Sequence, residues 1–133
     1  MNKELNELKK NKKSLKRFIK SFKYCYEGIV YAFYHEQNII VMFIVGVFVI
    51  IFGFIFKINH YEWLIVLLLI GFILALEMMN TAIEAAVNLH DGDKKSKYGK
   101  ITKDSSSAAV LIISIFAVVI GIMIFLPKLL ELL

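Results

Sequence analysis

The sequence predicts an all-α integral membrane protein: three transmembrane helices preceded by an N-terminal amphipathic surface helix, all in one membrane domain. Three observations carry that expectation. Of the 133 residues 59% are hydrophobic, with a positive mean hydropathy, more than a soluble fold of this size can hide. Three apolar stretches, 38–56, 63–88 and 104–126, are each long enough, at about 1.5 Å per residue, to cross a ~30 Å hydrocarbon core. They lack the alternation of barrel strands, so helices are the form that satisfies their backbone in lipid. Finally, nine of the sixteen Lys and Arg residues precede residue 24 and five lie from Lys94 to Lys103, leaving Lys57 and Lys128. By the positive-inside rule the N-terminus and the second connection are expected in the cytoplasm, the first connection and the C-terminus outside. That describes a multi-pass membrane protein.

Residues 1–13 read as a basic tail, mobile or a frayed helix end, with no signal-peptide cleavage pattern after it. From Ser14 to His35, Leu15, Phe18, Ile19, Phe22, Tyr26, Ile29 and Phe33 recur at spacings of three and four, with Lys16, Lys20, Lys23 and Glu27 between them. This is a helix for the membrane interface, a partner-binding or calmodulin-target-like helix being the second reading. The short connection after Lys57 makes spans one and two antiparallel neighbours, 91–100 is the polar loop, and Pro127 is expected to stop the last helix. The net charge of +5 lies on the expected cytoplasmic face, where it fits topology and anionic lipid rather than nucleic acid. Cys25, the only cysteine, excludes an intrachain disulfide.

The second span carries the chemistry. Glu77, Asn80, Thr81, Glu84 and Asn88 stand at i, i+3, i+4, i+7 and i+11, on one side of a helix. An ionised carboxylate in hydrocarbon costs at least a few kcal/mol, so the row must face protein or water, and three helices enclose little interior. A homo-oligomer is therefore expected. Helix-to-helix hydrogen bonding is the plainer role of such groups and suits Thr81 and Asn88; for the two glutamates it is weaker, because Gln would serve without the charge. Seven residues separate Glu77 and Glu84 by roughly 10 Å along the axis, too far to share one metal ion. Two roles follow: Glu84, nearer the cytoplasm, suits a metal ligand, and Glu77, deeper, suits a general base acting on a buried hydroxyl such as a lipid head group.

Glu36 begins span one at the level of Glu84 and could share a divalent cation with it, while Lys103, beside Asp104, could meet a phosphate. Each also reads as an ordinary interfacial charge. No segment fits a Walker loop or a protein-kinase glycine loop, and His35, His60 and His90 lack zinc-ligand spacing.

The run Glu77-Met78-Met79-Asn80-Thr81-Ala82-Ile83-Glu84, followed after a polar loop by Lys103-Asp104 and an apolar third span, resembles the prokaryotic diacylglycerol kinase family, which includes the undecaprenol kinases of Gram-positive bacteria. The resemblance runs from about Arg17 to the end of span three. It implies a trimer of three-span subunits that transfers the γ-phosphate of ATP to a lipid alcohol with Mg²⁺. It makes Glu77 the catalytic base, Glu36 and Glu84 the metal ligands and Asn80 a supporting amide. Lys103, Asp104, Arg17 and Tyr24 match nucleotide-contacting positions. Asn88 departs from the Asp of many relatives, and the loop from His90 to Gly99 aligns poorly. Glu36-Gln37-Asn38 is closer to the Gram-positive branch, so undecaprenol is the expected substrate and diacylglycerol the alternative. A membrane adaptor, or a small ion-conducting oligomer lined by Glu77 and Glu84, is the non-catalytic alternative.

Overall fold

The structure, a computed structural model, describes residues 2–92, 94 and 96–131, with side chains from residue 14 onward. Four helices follow in order: α1 Asn2–His35, α2 Gln37–Ile55, α3 His60–Asp91 and α4 Lys97–Leu130. The last three are long and apolar enough to cross a membrane. The chain divides into two units, 1–35 and 36–133.

In the first unit, α1 runs back to Asn2, well before the start expected at residue 14. Its early residues are rich in Leu, Lys and Glu, strong helix formers that continue the helix where an apolar pattern is missing. Leu15, Phe18, Ile19, Phe22, Tyr26 and Ile29 leave an exposed apolar face, as an interfacial helix requires. Cys25 is free and exposed.

In the second unit α3 is the central helix, with α2 and α4 both packed on it. The α2–α3 corner is built by local chemistry. Ile58 N–H bonds to the Gly53 carbonyl at 3.1 Å and Lys57 N–H to the Phe54 carbonyl at 3.3 Å, a Schellman stop that puts Lys57 at φ +49°. A Cβ on Gly53 would lie 2.7 Å from the Trp63 ring, so the glycine is what lets the indole seat against α2. Asn59 and Glu62 then form a reciprocal capping box at 3.0 and 2.7 Å that starts α3. Ile58, Val66 and Ile124 form the adjoining core, with Trp63, Phe56 and Phe125 against it.

Pro127 does not stop α4. Its missing N–H breaks one bond only, and its carbonyl still accepts Glu131 N–H at 3.1 Å, so the helix reaches Leu130. The extra turn carries Lys128 to Glu62, 3.1 Å away. At the other end the polar connection is shorter than 91–100. Gly92 closes α3 at φ +54°, and Ser96 caps α4 through Gly99 N–H at 2.8 Å.

Candidate active site

The polar row of α3 is graded along its length. Glu77, Asn80 and Thr81 are buried, Glu84 is half-buried and Asn88 is exposed. The row therefore runs from a desolvated end to an open mouth.

Glu77 is the deepest member, only 2% exposed. The Asn38 side chain, from the first turn of α2, comes near its carboxyl, and Glu36 and Glu84 lie close enough for their charges to act on it. Yet Glu77 Oε1 is enclosed with no hydrogen-bond partner among the described residues, as is Thr81 Oγ1. A buried polar atom without a partner costs about 1–3 kcal/mol, more when charged. An apolar cavity of about 330 Å³ lies between α2, α3 and α4, and its lining comes within one helical turn of this end of the row at Met42 and Ile73, each four residues from Asn38 or Glu77.

Asn80 joins the row to α4. Its Oδ1 accepts from Ser106 Oγ at 2.6 Å and Ser107 Oγ at 3.3 Å, and its Nδ2 donates to Glu84 Oε1 at 3.2 Å. At the mouth, Lys103 Nζ donates to Asn88 Oδ1 at 2.6 Å. Asp104 is exposed one residue on. Glu36 has extended backbone at the start of α2, and its side chain does not cap the helix, which leaves the carboxylate for other work. The second unit thus gathers Glu36, Glu77, Asn80, Glu84, Lys103 and Asp104 at one end of α2, α3 and α4. Arg17 and Tyr24 lie on α1, in the other unit, with exposed side chains.

Hard carboxylate oxygens suit Mg²⁺, which commonly takes one or two of them and completes its shell with phosphate and water. Glu36 and Glu84 fit that donor set. No group of three acidic, His or Cys side chains able to hold a metal occurs among the described residues.

Asn38, Ser106 and Ser107 are site residues that periodicity did not single out. A signal was present for the serines: Ser105-Ser106-Ser107 opens an apolar span, and Ser106 and Ser107 fall three and four residues after Lys103, on its face. Asn38 had none beyond its polarity at a span's start.

Residues 23–125 match the prokaryotic diacylglycerol kinase family. The chain belongs to that family. It is 38% identical to the undecaprenol kinase of Bacillus subtilis (strain 168) over 121 residues, 91% of this chain and 98% of that protein. It is 34% identical to the diacylglycerol kinase of Synechocystis sp. over 112 residues, 84% of this chain and 64% of that protein.

Proposed function

We propose that the chain is an ATP-dependent lipid kinase of the bacterial cell membrane, transferring the γ-phosphate to the hydroxyl of undecaprenol, and that it works as a homotrimer with Mg²⁺. The observation that carries this reading is Glu77 Oε1, buried without a partner among the described residues and one helical turn from an apolar cavity, within a family of lipid kinases.

A lipid alcohol entering sideways from the bilayer brings its hydroxyl to Glu77. The carboxylate takes that proton as the alkoxide oxygen bonds to the γ-phosphorus, and the bond from phosphorus to the β–γ bridging oxygen breaks to release ADP. Lys103 supplies positive charge to the phosphates at the mouth, and Asp104 contacts the nucleotide. Mg²⁺, held by Glu36 and Glu84, supplies further charge neutralisation when bound. The lysine distribution supports a cytoplasmic position for this mouth, where ATP is.

Assembly is supported by what one chain leaves uncovered. Leu64, Leu67, Leu68 and Phe72 are exposed along one face of α3, and Gly71 and Ala75 between them permit close approach of another copy. Undecaprenol is preferred because the undecaprenol kinase relative is matched over almost its whole length. The diacylglycerol kinase relative keeps diacylglycerol as the second reading.

Purified chain given Mg-ATP and either alcohol in mixed micelles is expected to phosphorylate undecaprenol faster. A preference for diacylglycerol moves the assignment to the second lipid. No labelled lipid from either alcohol, the outcome an adaptor or ion-conducting oligomer gives, overturns the kinase reading.

A further inference from the structure

Glu84 has a long side chain at a half-buried position, and three rotatable bonds separate its carboxylate from the helix. Something must choose its orientation if it is to meet a cation repeatedly in one place. The structure shows one hydrogen bond to it, from Asn80 Nδ2. Asn80 is in turn held from the opposite helix.

Donor chemistry sets the direction of this chain of contacts. An ionised carboxylate only accepts, so the Asn80 amide must turn its NH₂ to Glu84 and its oxygen to α4. There Ser106 Oγ lies 2.6 Å from Asn80 Oδ1 and 2.9 Å from the Lys103 carbonyl oxygen, both acceptors. A hydroxyl has one proton to give, and the amide is the nearer claimant. Ser107 Oγ, at 3.3 Å, makes the longer second bond. Asn80 is only 5% exposed, so water is a poor substitute for either serine.

We propose that Ser106 is a positioning residue for the metal centre: acting through Asn80, its hydroxyl holds Glu84 in the orientation that receives the divalent cation. The inference rests on the kinase reading, in which Glu84 is a metal ligand. Pinning Oε1 from the side of α4 leaves Oε2 to turn toward the cation, and the ordered partner removes conformations in which the carboxylate points elsewhere. Partners of this kind change metal affinity by about 10–100-fold when lost.

A purely structural serine, bonding α3 to α4, would affect unfolding and leave cation affinity alone. The two roles separate in a binding experiment without turnover. Full-length wild type, Ser106→Ala, Ser106→Thr, Ser106→Cys and the Ser106→Ala/Ser107→Ala double variant are titrated with Mn²⁺ in the presence of a non-hydrolysable ATP analogue. Bound Mn²⁺ is read by electron paramagnetic resonance and folding by thermal unfolding. Ser106→Ala is expected to weaken Mn²⁺ binding about tenfold and the double variant up to about 100-fold, with Thr restoring wild-type affinity. Ser106→Cys keeps the volume with a poor donor, so it should lose affinity while remaining folded even where Ala does not.

Wild-type Mn²⁺ affinity in folded Ala or Cys variants overturns the role of Ser106, as does failure of Thr to rescue. If wild type phosphorylates lipid while these variants bind Mn²⁺ normally, only this inference falls. If wild type makes no phosphorylated lipid and binds no Mn²⁺-nucleotide, the kinase reading falls and takes the inference with it.

Discussion

Lys103 Nζ donates to Asn88 Oδ1 at 2.6 Å, which joins α4 to α3 at the open end of the polar row. The partner is a neutral amide, so the lysine is oriented without being neutralised. A phosphate reaching it replaces a weak acceptor with a charged one. Asn88→Asp would turn the contact into an exposed ion pair, worth up to about 1 kcal/mol, against which the phosphate must compete. The expected result is a rise in KM for ATP of about twofold to fivefold with kcat nearly unchanged. Steady-state kinetics at low and high ionic strength check this, since screening should shrink the difference. An unchanged or lower KM would contradict the competition.

Glu77→Gln keeps the shape of the deepest side chain and removes its ability to take a proton. Turnover is expected to fall by about 10²–10⁴-fold while Mn²⁺-nucleotide binding persists. Because Glu77 is 2% exposed, the neutral amide also removes a buried charge, so thermal unfolding should not move to lower temperature. Phosphorylation assays and unfolding scans on the same preparation test both halves.

Glu84→Gln and Glu36→Gln address the cation instead. Each should raise the Mg²⁺ concentration needed for half-maximal rate by about tenfold or more, since an amide oxygen is a weaker ligand than a carboxylate for this ion. Unchanged Mg²⁺ dependence in both would remove the shared-metal assignment.

Hydropathy and helical spacing are local properties, which is why the three spans and the single-sided row from Glu77 to Asn88 were legible in the sequence. Which partners the row meets is a different kind of information. Asn38 comes near Glu77, and Ser106 bonds Asn80 across 26 residues, because α2 and α4 turn those faces to α3, and no window along the chain reports a rotation about another helix's axis. The helix ends were missed for a related reason. Pro127 reads as a stop, yet its carbonyl keeps its hydrogen bond, and α4 begins at Lys97 within a charged stretch because Asp91 and Ser96 build its cap.

That cap depends on a glycine. A Cβ on Gly99 would overlap Asp91 Oδ2 and come within 2.9 Å of Ser96 Oγ, which bonds Gly99 N–H. Gly99→Ala must therefore push the Asp91 carboxylate away and loosen the start of α4. Loss of a cap costs about 0.5–2 kcal/mol, here set against the small gain Ala brings to a helix. Thermal unfolding in detergent is expected to show a net loss, and Gly99→Ala combined with Asp91→Ala a smaller one, because the overlapping group is gone.

The same cap gives a dependence on acid. Asp91 is the last residue of α3, beyond its apolar stretch, where the His90 ring at 3.0 Å, the Ser96 hydroxyl at 2.8 Å and the Ser96 N–H at 3.0 Å stabilise its charge and hold its pKa down to about 2 from 3.8. A pKa depressed in the folded state means that the unfolded chain binds more protons between those values. The contribution to stability is therefore complete above about pH 3.8 and is lost as pH falls through about 2. Amide hydrogen exchange at Ser96 and Gly99, corrected for intrinsic rates, should show constant protection as pH is lowered toward 4 and a decline only below it. Asp91→Asn should abolish that decline, because an amide has no proton to gain in this range. A decline beginning near pH 5, or one that persists in the Asn variant, would place the titrating group elsewhere.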